Sequence, residues 1–239
     1  MRHHTKRRSF ETKTANFTVS ALRDVYFLDP ATGAASFTAT LPPAATCVSK
    51  VLRLARIDDT ASYSVTVDGD GTELIGPVQS VALWVGGWIE IISIGTGWKV
   101  LGCYLGIRYS GSSGAYEATV GAWADVTNLS LQVTTLGGPV GIRLQSDGSG
   151  NNSMFGLFRI ASDVGGNLLL LRDGTEIARH RFRLVTDAGA SGNDIYFPGV
   201  FLHDDNPPGG TYTYKIQAQR EQTVSAFYVH YLEMLVEPG

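Results

Sequence analysis

The chain has 239 residues, 28 of them glycine, with 17% charged side chains and a formal net charge of −3. That glycine content argues against a mainly helical protein, and the charged fraction lies below the roughly 25% typical of globular chains. No run reaches the about 20 apolar residues of a membrane-spanning helix, so no membrane insertion is expected.

The N-terminal stretch carries Arg2, Lys6, Arg7, Arg8 and Lys13 against Glu11, so the remainder of the chain is acidic. Residues 1–16 have no apolar periodicity and read as a basic arm, either solvated or lying on an acidic partner surface. No apolar stretch follows the basic residues, so a secretory signal is not expected. Phe10 is the single aromatic among the charges and no glycine accompanies them, which argues against nucleic-acid binding.

Residues 17–104 read as short strands punctuated by Gly and Pro. Phe17–Ser20, Phe37–Leu41, Val51–Ile57, Tyr63–Val67, Thr72–Ile75, Ser80–Val85, Trp88–Ile94 and Trp98–Leu101 each alternate or run apolar. Strands this short and evenly spaced predict a sandwich or barrel. Asp58-Asp59 reads as a polar connection. Asp68-Gly69-Asp70-Gly71 reads as a tight hairpin turn, because the later ligands and flanking helices of a calcium loop are missing. Cys47 and Cys103 lack metal-ligand spacing and are expected as free thiols.

The ordered pieces Thr38-Ala-Thr-Leu-Pro-Pro-Ala-Ala-Thr46, Lys50-Val-Leu-Arg-Leu54, Ser64-Val-Thr-Val-Asp-Gly-Asp-Gly-Thr72 and Gly97-Trp98-Lys99 resemble a small β module of tailed-phage fibres. The resemblance covers residues 30–104. Ser49 departs from its usual glycine, and Leu74-Ile75-Gly76 from Ile-Asp-Gly.

Residues 105–115 contain a Gly/Ser cluster that reads as a flexible linker. Beyond it, residues 116–239 predict a second all-β unit. In Trp123–Thr135 the core positions are Val126, Leu129, Leu131 and Val133. Asn167–Leu171, Glu176–Leu184 and Val224–Leu235 are further strands. Asp205-Asn-Pro-Pro-Gly-Gly-Thr-Tyr-Thr-Tyr214 is a rigid reversal, because two prolines fix φ and two glycines permit unusual conformations. It leads into a strand with Tyr212, Tyr214, Ile216 and Ala218 on one face. About eight strands in this span suit a jelly roll.

Leu170-Leu-Arg-Asp-Gly-Thr-Glu-Ile177, the Asp205–Tyr214 reversal and the closing strand together resemble the tumour-necrosis-factor-like (TNF-like) jelly rolls at the tips of phage and viral fibres. The resemblance implies a homotrimer, with Tyr212, Tyr214, Ile216 and Tyr228 as trimer or core contacts.

No catalytic constellation is legible. Asp58-Asp59 and Asp204-Asp205 are adjacent in turns, so their side chains diverge, whereas glycan hydrolysis needs two carboxylates facing across a cleft. His180, His203 and His230 are isolated from one another in sequence. Arg179, Arg181 and Arg183 share a strand face. They suit an anionic glycan or a neighbouring protomer, or else form a solvated surface. Tyr109 and Trp88 are candidate sugar-stacking aromatics, with core burial as the alternative.

The expectation is therefore an all-β protein: a basic arm (1–16), a small β-sandwich module (17–104), a linker (105–115) and a jelly roll (116–239). Together with the resemblance, this predicts a non-enzymatic fibre on the virion surface of a tailed phage, made in the host cytoplasm. Arg2, Lys6, Arg7 and Arg8 would anchor it to capsid or tail proteins, with host polysaccharide as the target and no cofactor. A glycan depolymerase and a freestanding lectin are the alternatives.

Overall fold

The computed structural model describes residues 9–149, 154–159, 164–184, 194–198, 201–221 and 225–238; for 154–159, 194–198 and the ends of neighbouring strands only the backbone is described. These residues are almost entirely strands and turns. The expected basic side chains Arg2, Lys6, Arg7 and Arg8 lie outside the described residues.

The first unit winds between two sheets. β1 (Phe10–Lys13), β3 (Val25–Leu28) and β5 (Val51–Arg56) lie parallel in one sheet, and β2 (Phe17–Thr18), β4 (Phe37–Thr40) and β6 (Val65–Asp68) lie parallel in the other. The chain crosses to the opposite sheet after each strand from β1 to β5. β7 (Ser80–Leu83) then pairs antiparallel with β6, and β8 (Trp88–Ser93) and β9 (Trp98–Tyr104) close the first sheet. The result is a two-sheet sandwich built as a short flattened coil rather than from hairpins. One helical turn, Pro30–Gly33, is capped by the Asp29 carboxylate on Thr32 N.

Facing columns such as Tyr26–Leu54–Ile89 and Ala39–Val67–Val81 fill the space between the sheets. In the first coil the core positions opposite Tyr26 and Leu28 hold Glu11 and Lys13, which pair at 2.7 Å, with Lys13 Nζ over the Phe17 ring. An ion pair in place of apolar side chains ends the stack, as the polar cap of a repeat array does. Residues 10–13 are therefore an edge strand and not part of a free arm. A four-residue strand holding a single large apolar side chain, Phe10, is too short to show a period.

Two further expectations change. Asp68–Gly71 is not a tight hairpin turn, since the β6–β7 connection runs through residues 69–79. In this connection Ile75 makes isolated bridges to Val78 and Trp98 in place of the expected 72–75 strand. The Glu73 carboxylate in this loop accepts from Ala44 N at 2.9 and 3.0 Å, holding the 3-10 turn Ala44–Thr46. Residues 105–115 are not a linker. Leu105 is buried in the first core, Ser110 N donates to Met234 O, and buried Ser113 bonds Val229 O and Leu232 N. A Cβ at Gly106 would lie 2.7 Å from Trp84 and one at Gly111 3.1 Å from Asn128, while Gly114 adopts φ 58°.

The second unit contains β10 (Arg108–Tyr109), β11 (Ala115–Glu117), β12 (Ala124–Thr135), β13 (Val140–Ser146), β14 (Met154–Arg159), β15 (Val164–Arg172) and β16 (Thr175–Leu184). It continues with β17 (Asp194–Pro198), β18 (Phe201–Asp205), β19 (Gly210–Arg220), β20 (Ser225–His230) and β21 (Leu232–Pro238). Two sheets, ordered β10-β21-β13-β18 and β11-β20-β14-β17, draw on paired neighbouring strands of the chain in the same order. The facing sheet is β12-β19-β15-β16. With each such pair taken as one strand, the chain order across the sheets is 1-8-3-6 and 2-7-4-5. This is a jelly roll. The expected single strand 224–235 is broken at Tyr231, which adopts φ 51° between β20 and β21.

The Pro-Pro-Gly-Gly reversal sits where the units meet. A Cβ added at Gly209 would lie 2.2 Å from Pro77 Cγ and 3.1 Å from Leu136 O. Gly209→Ala is expected to cost about 1–3 kcal/mol through overpacking. In a melting study the double variant Gly209→Ala/Pro77→Ala should lose less than the two single losses combined. Strict additivity would mean that Pro77 is not the obstacle.

Candidate functional site

Of the expected site residues, Tyr212, Tyr214, Ile216, Tyr228, Arg179 and Arg181 have described side chains. Tyr214 and Ile216 are fully buried in the jelly-roll core. The Tyr214 hydroxyl donates to Asp205 Oδ2 at 2.8 Å, and Arg172 Nη1 donates to both Asp205 oxygens at 2.9 Å. Burial first, and the adjacent Asp205 carboxylate second, push the Tyr214 phenol well above its ordinary value. Tyr212 is half-buried, donates to Pro208 O at 3.0 Å and lies under the Arg172 guanidinium. Tyr228 faces away from the core and packs on His230, ring centres 4.8 Å apart. Burial lowers the His230 pKa, opposed by Glu117.

The arginine face of β16 is exposed but already engaged. Arg179 makes a two-pronged pair with Glu176 at 2.8 and 2.9 Å and stacks on Trp123. Arg181 does the same with Glu221 at 2.7 and 3.0 Å. The Arg183 side chain lies outside the described residues. On the same sheet face Asp125 accepts from Lys215 at 2.9 Å and Gln217 at 2.7 Å. The stems of these side chains flank Leu169 and Leu171, which are buried on the side of the sheet away from the core.

The described face with the most varied chemistry is the outer side of β13 and β21. Val140, Ile142 and Leu144 point into the core, so Gly141, Arg143 and Gln145 point out. Gly141 lies opposite Glu237 on one side and Asp204 on the other. Two carboxylates therefore flank a residue with no side chain, leaving a notch of about 240 Å³ lined also by Arg143 and His203. Arg143 Nη2 donates to Glu237 Oε2 at 2.8 Å. Burial first, with help from the Glu237 carboxylate, pushes the Tyr104 phenol up to about 12. Four residues back along β21, Glu233 accepts from Gln145 Nε2 at 2.8 Å and borders a wider depression of about 420 Å³ with Ala61, Ser62, Tyr109 and Ser110.

Sequence reasoning named Tyr109, Asp204 and His203 but not Gly141, Arg143, Glu233 or Glu237. Strand alternation places Glu233 and Glu237 on one face, which was a usable signal. Their register against Gly141 and Asp204 was not readable. Among the described residues no group of three His, Cys, Asp or Glu side chains is placed to hold a metal ion. Cys47 and Cys103 are free thiols.

No protein-family model and no curated protein sequence matches the chain. Among solved structures it is similar to dimeric latent PorU from Porphyromonas gingivalis: 11% identity over 55% of this chain and 12% of that one, TM-score 0.33. It is also similar to infectious bursal disease virus, Gt strain, at 12% identity over 71% of this chain and 47% of that one, TM-score 0.33. The Gx strain of the same virus gives 13% identity over 67% and 44%, TM-score 0.30. The chain spans less than half the length of each of these proteins.

Proposed function

We propose that the chain is a non-enzymatic surface protein of a tailed-phage virion, a short homotrimeric fibre that presents its jelly roll to host-surface glycan. The observation that carries this reading is the order of parts along the chain. A basic segment leads into a coiled β module whose first coil is closed by the Glu11–Lys13 pair, and the module packs at its other end on a jelly roll. The basic segment suits attachment to an acidic partner surface, and the jelly roll provides broad sheet faces for weak, repeated contacts. Homotrimer formation would cover sheet edges that a monomer leaves open.

Antibody against the chain should label intact virions at the head or at the tail. Removal of residues 1–8 should leave the folded part intact and lower its occupancy on particles. Labelling confined to lysate, or full occupancy after the deletion, would reject the virion role or the anchoring role respectively.

The carboxylates of Asp204 and Glu237 on either side of Gly141 favour a second reading, a glycan depolymerase. It predicts new reducing ends when the purified protein is incubated with host polysaccharide, and their loss in Asp204→Asn. Unchanged polysaccharide chain length would dismiss it.

A further inference from the structure

We infer that the outer face along β21 is a binding groove for a neutral, hydroxyl-rich oligosaccharide; the inference rests on the proposed glycan-binding role and assigns its site. The two depressions belong to one surface. They lie on one sheet face on either side of a covered row: Tyr109 pairs with Leu235, which is buried, and Leu235 pairs with Arg143. On one side of that row stand Glu237, Gly141 and Asp204, and on the other Glu233 and Gln145. Glu233 and Glu237 project on the same side of one strand, four residues and so about 13 Å apart. That span suits an extended chain of sugar rings better than a single small molecule.

The groups along this surface are those that grip sugars. Tyr109 is 37% exposed and offers a ring for the apolar face of a pyranose. Ser62 and Ser110 border the same depression. The carboxylates of Glu233, Asp204 and Glu237 accept from hydroxyl pairs, and Arg143 donates. The bare floor at Gly141 lets a ring approach the sheet between two carboxylates.

Charge then decides the class of glycan. Three carboxylates stand against the single guanidinium of Arg143, so a sulfated or uronate-rich chain would meet net repulsion. The cationic pair Arg179 and Arg181 is already neutralised by Glu176 and Glu221. A polysaccharide without acidic groups is therefore the better match.

The test uses the full chain on an array of neutral and acidic bacterial oligosaccharides, with affinities of retained glycans measured by calorimetry and molar mass by light scattering. Wild type should retain neutral members. Tyr109→Ala and Glu233→Gln should each weaken binding about ten-fold, at unchanged molar mass and near-unchanged melting temperature. Arg179→Ala/Arg181→Ala should bind as wild type does. If wild type retains glycans but both groove variants bind equally well, or only acidic members are retained, the site is overturned while the glycan-binding role stands. If wild type retains nothing, both fail. A change in molar mass in either groove variant would make this face a contact between copies, which also overturns the site.

Discussion

Replacing Asp58 with alanine is expected to destabilise the first unit by about 3–5 kcal/mol, because it strands a buried guanidinium. The Arg56 side chain is 0% exposed and that of Asp58 6%. Arg56 donates to both Asp58 oxygens, at 2.6 and 2.8 Å, and to the backbone oxygens of Thr60 and Tyr63. Asp58 Oδ2 also accepts from Thr60 N at 3.0 Å. The pair thus fixes the crossover from β5 to β6, the segment that carries the chain from one sheet to the other. Urea unfolding should show the loss in Asp58→Ala and a smaller one in Arg56→Leu/Asp58→Ala, in which no unpaired charge remains buried. A single variant within 1 kcal/mol of wild type would show that the pair is hydrated.

The same pair sets a pH dependence. Burial would raise the Asp58 pKa, but the Arg56 and Thr60 hydrogen bonds outweigh it and hold it below its ordinary value. A carboxyl lowered in the folded state stabilises fully above the unfolded value, about 4, and that contribution fades as pH falls through the lowered one. The gap between wild type and Asp58→Ala should therefore be full at pH 7 and shrink on acidification. A gap independent of pH down to 2 would contradict the assignment.

The elements were more legible than their partners. Alternation along Trp123–Thr135 placed Val126, Leu129, Leu131 and Val133 in the core, and all four are buried. The uneven step from 126 to 129 coincides with a register shift and with Asn128 at φ 61°. Whether a neighbour runs parallel or antiparallel leaves a period of two unchanged. Phe37–Thr40 and Val51–Arg56 therefore read only as short strands of a sandwich or barrel, and they are successive coils of a winding chain. Gly and Ser at 110–114 looked like a linker because composition cannot distinguish mobility from a close approach, as at Gly111, or a fixed positive φ, as at Gly114. The groove escaped for a third reason: Gly141, Asp204 and Glu237 come from three strands, and only hydrogen-bond register brings them into one row.

The reversal at 205–214 carries the other large expected effect. Tyr214 stands in β19 opposite Leu131 of β12 and Arg172 of β15, near the middle of its sheet. Its ring fills the core, while its hydroxyl reaches Asp205 at the end of β18, in the facing sheet. One side chain therefore contributes packing and a tie between the two layers. Tyr214→Ala should cost about 3–5 kcal/mol, as large-to-small changes at fully buried aromatic sites do. Tyr214→Phe keeps the ring and removes the tie, so about 1 kcal/mol is expected; Asp205 retains Arg172 and Asn206 N. Asp205→Ala leaves a buried hydroxyl without its acceptor and frees Arg172, and should fall between the two, near about 2 kcal/mol. Chemical unfolding of the three variants separates the contributions. If Tyr214→Phe loses as much as Tyr214→Ala, the hydroxyl bridge between the sheets dominates, and packing of the tyrosine face is not what holds the reversal in place.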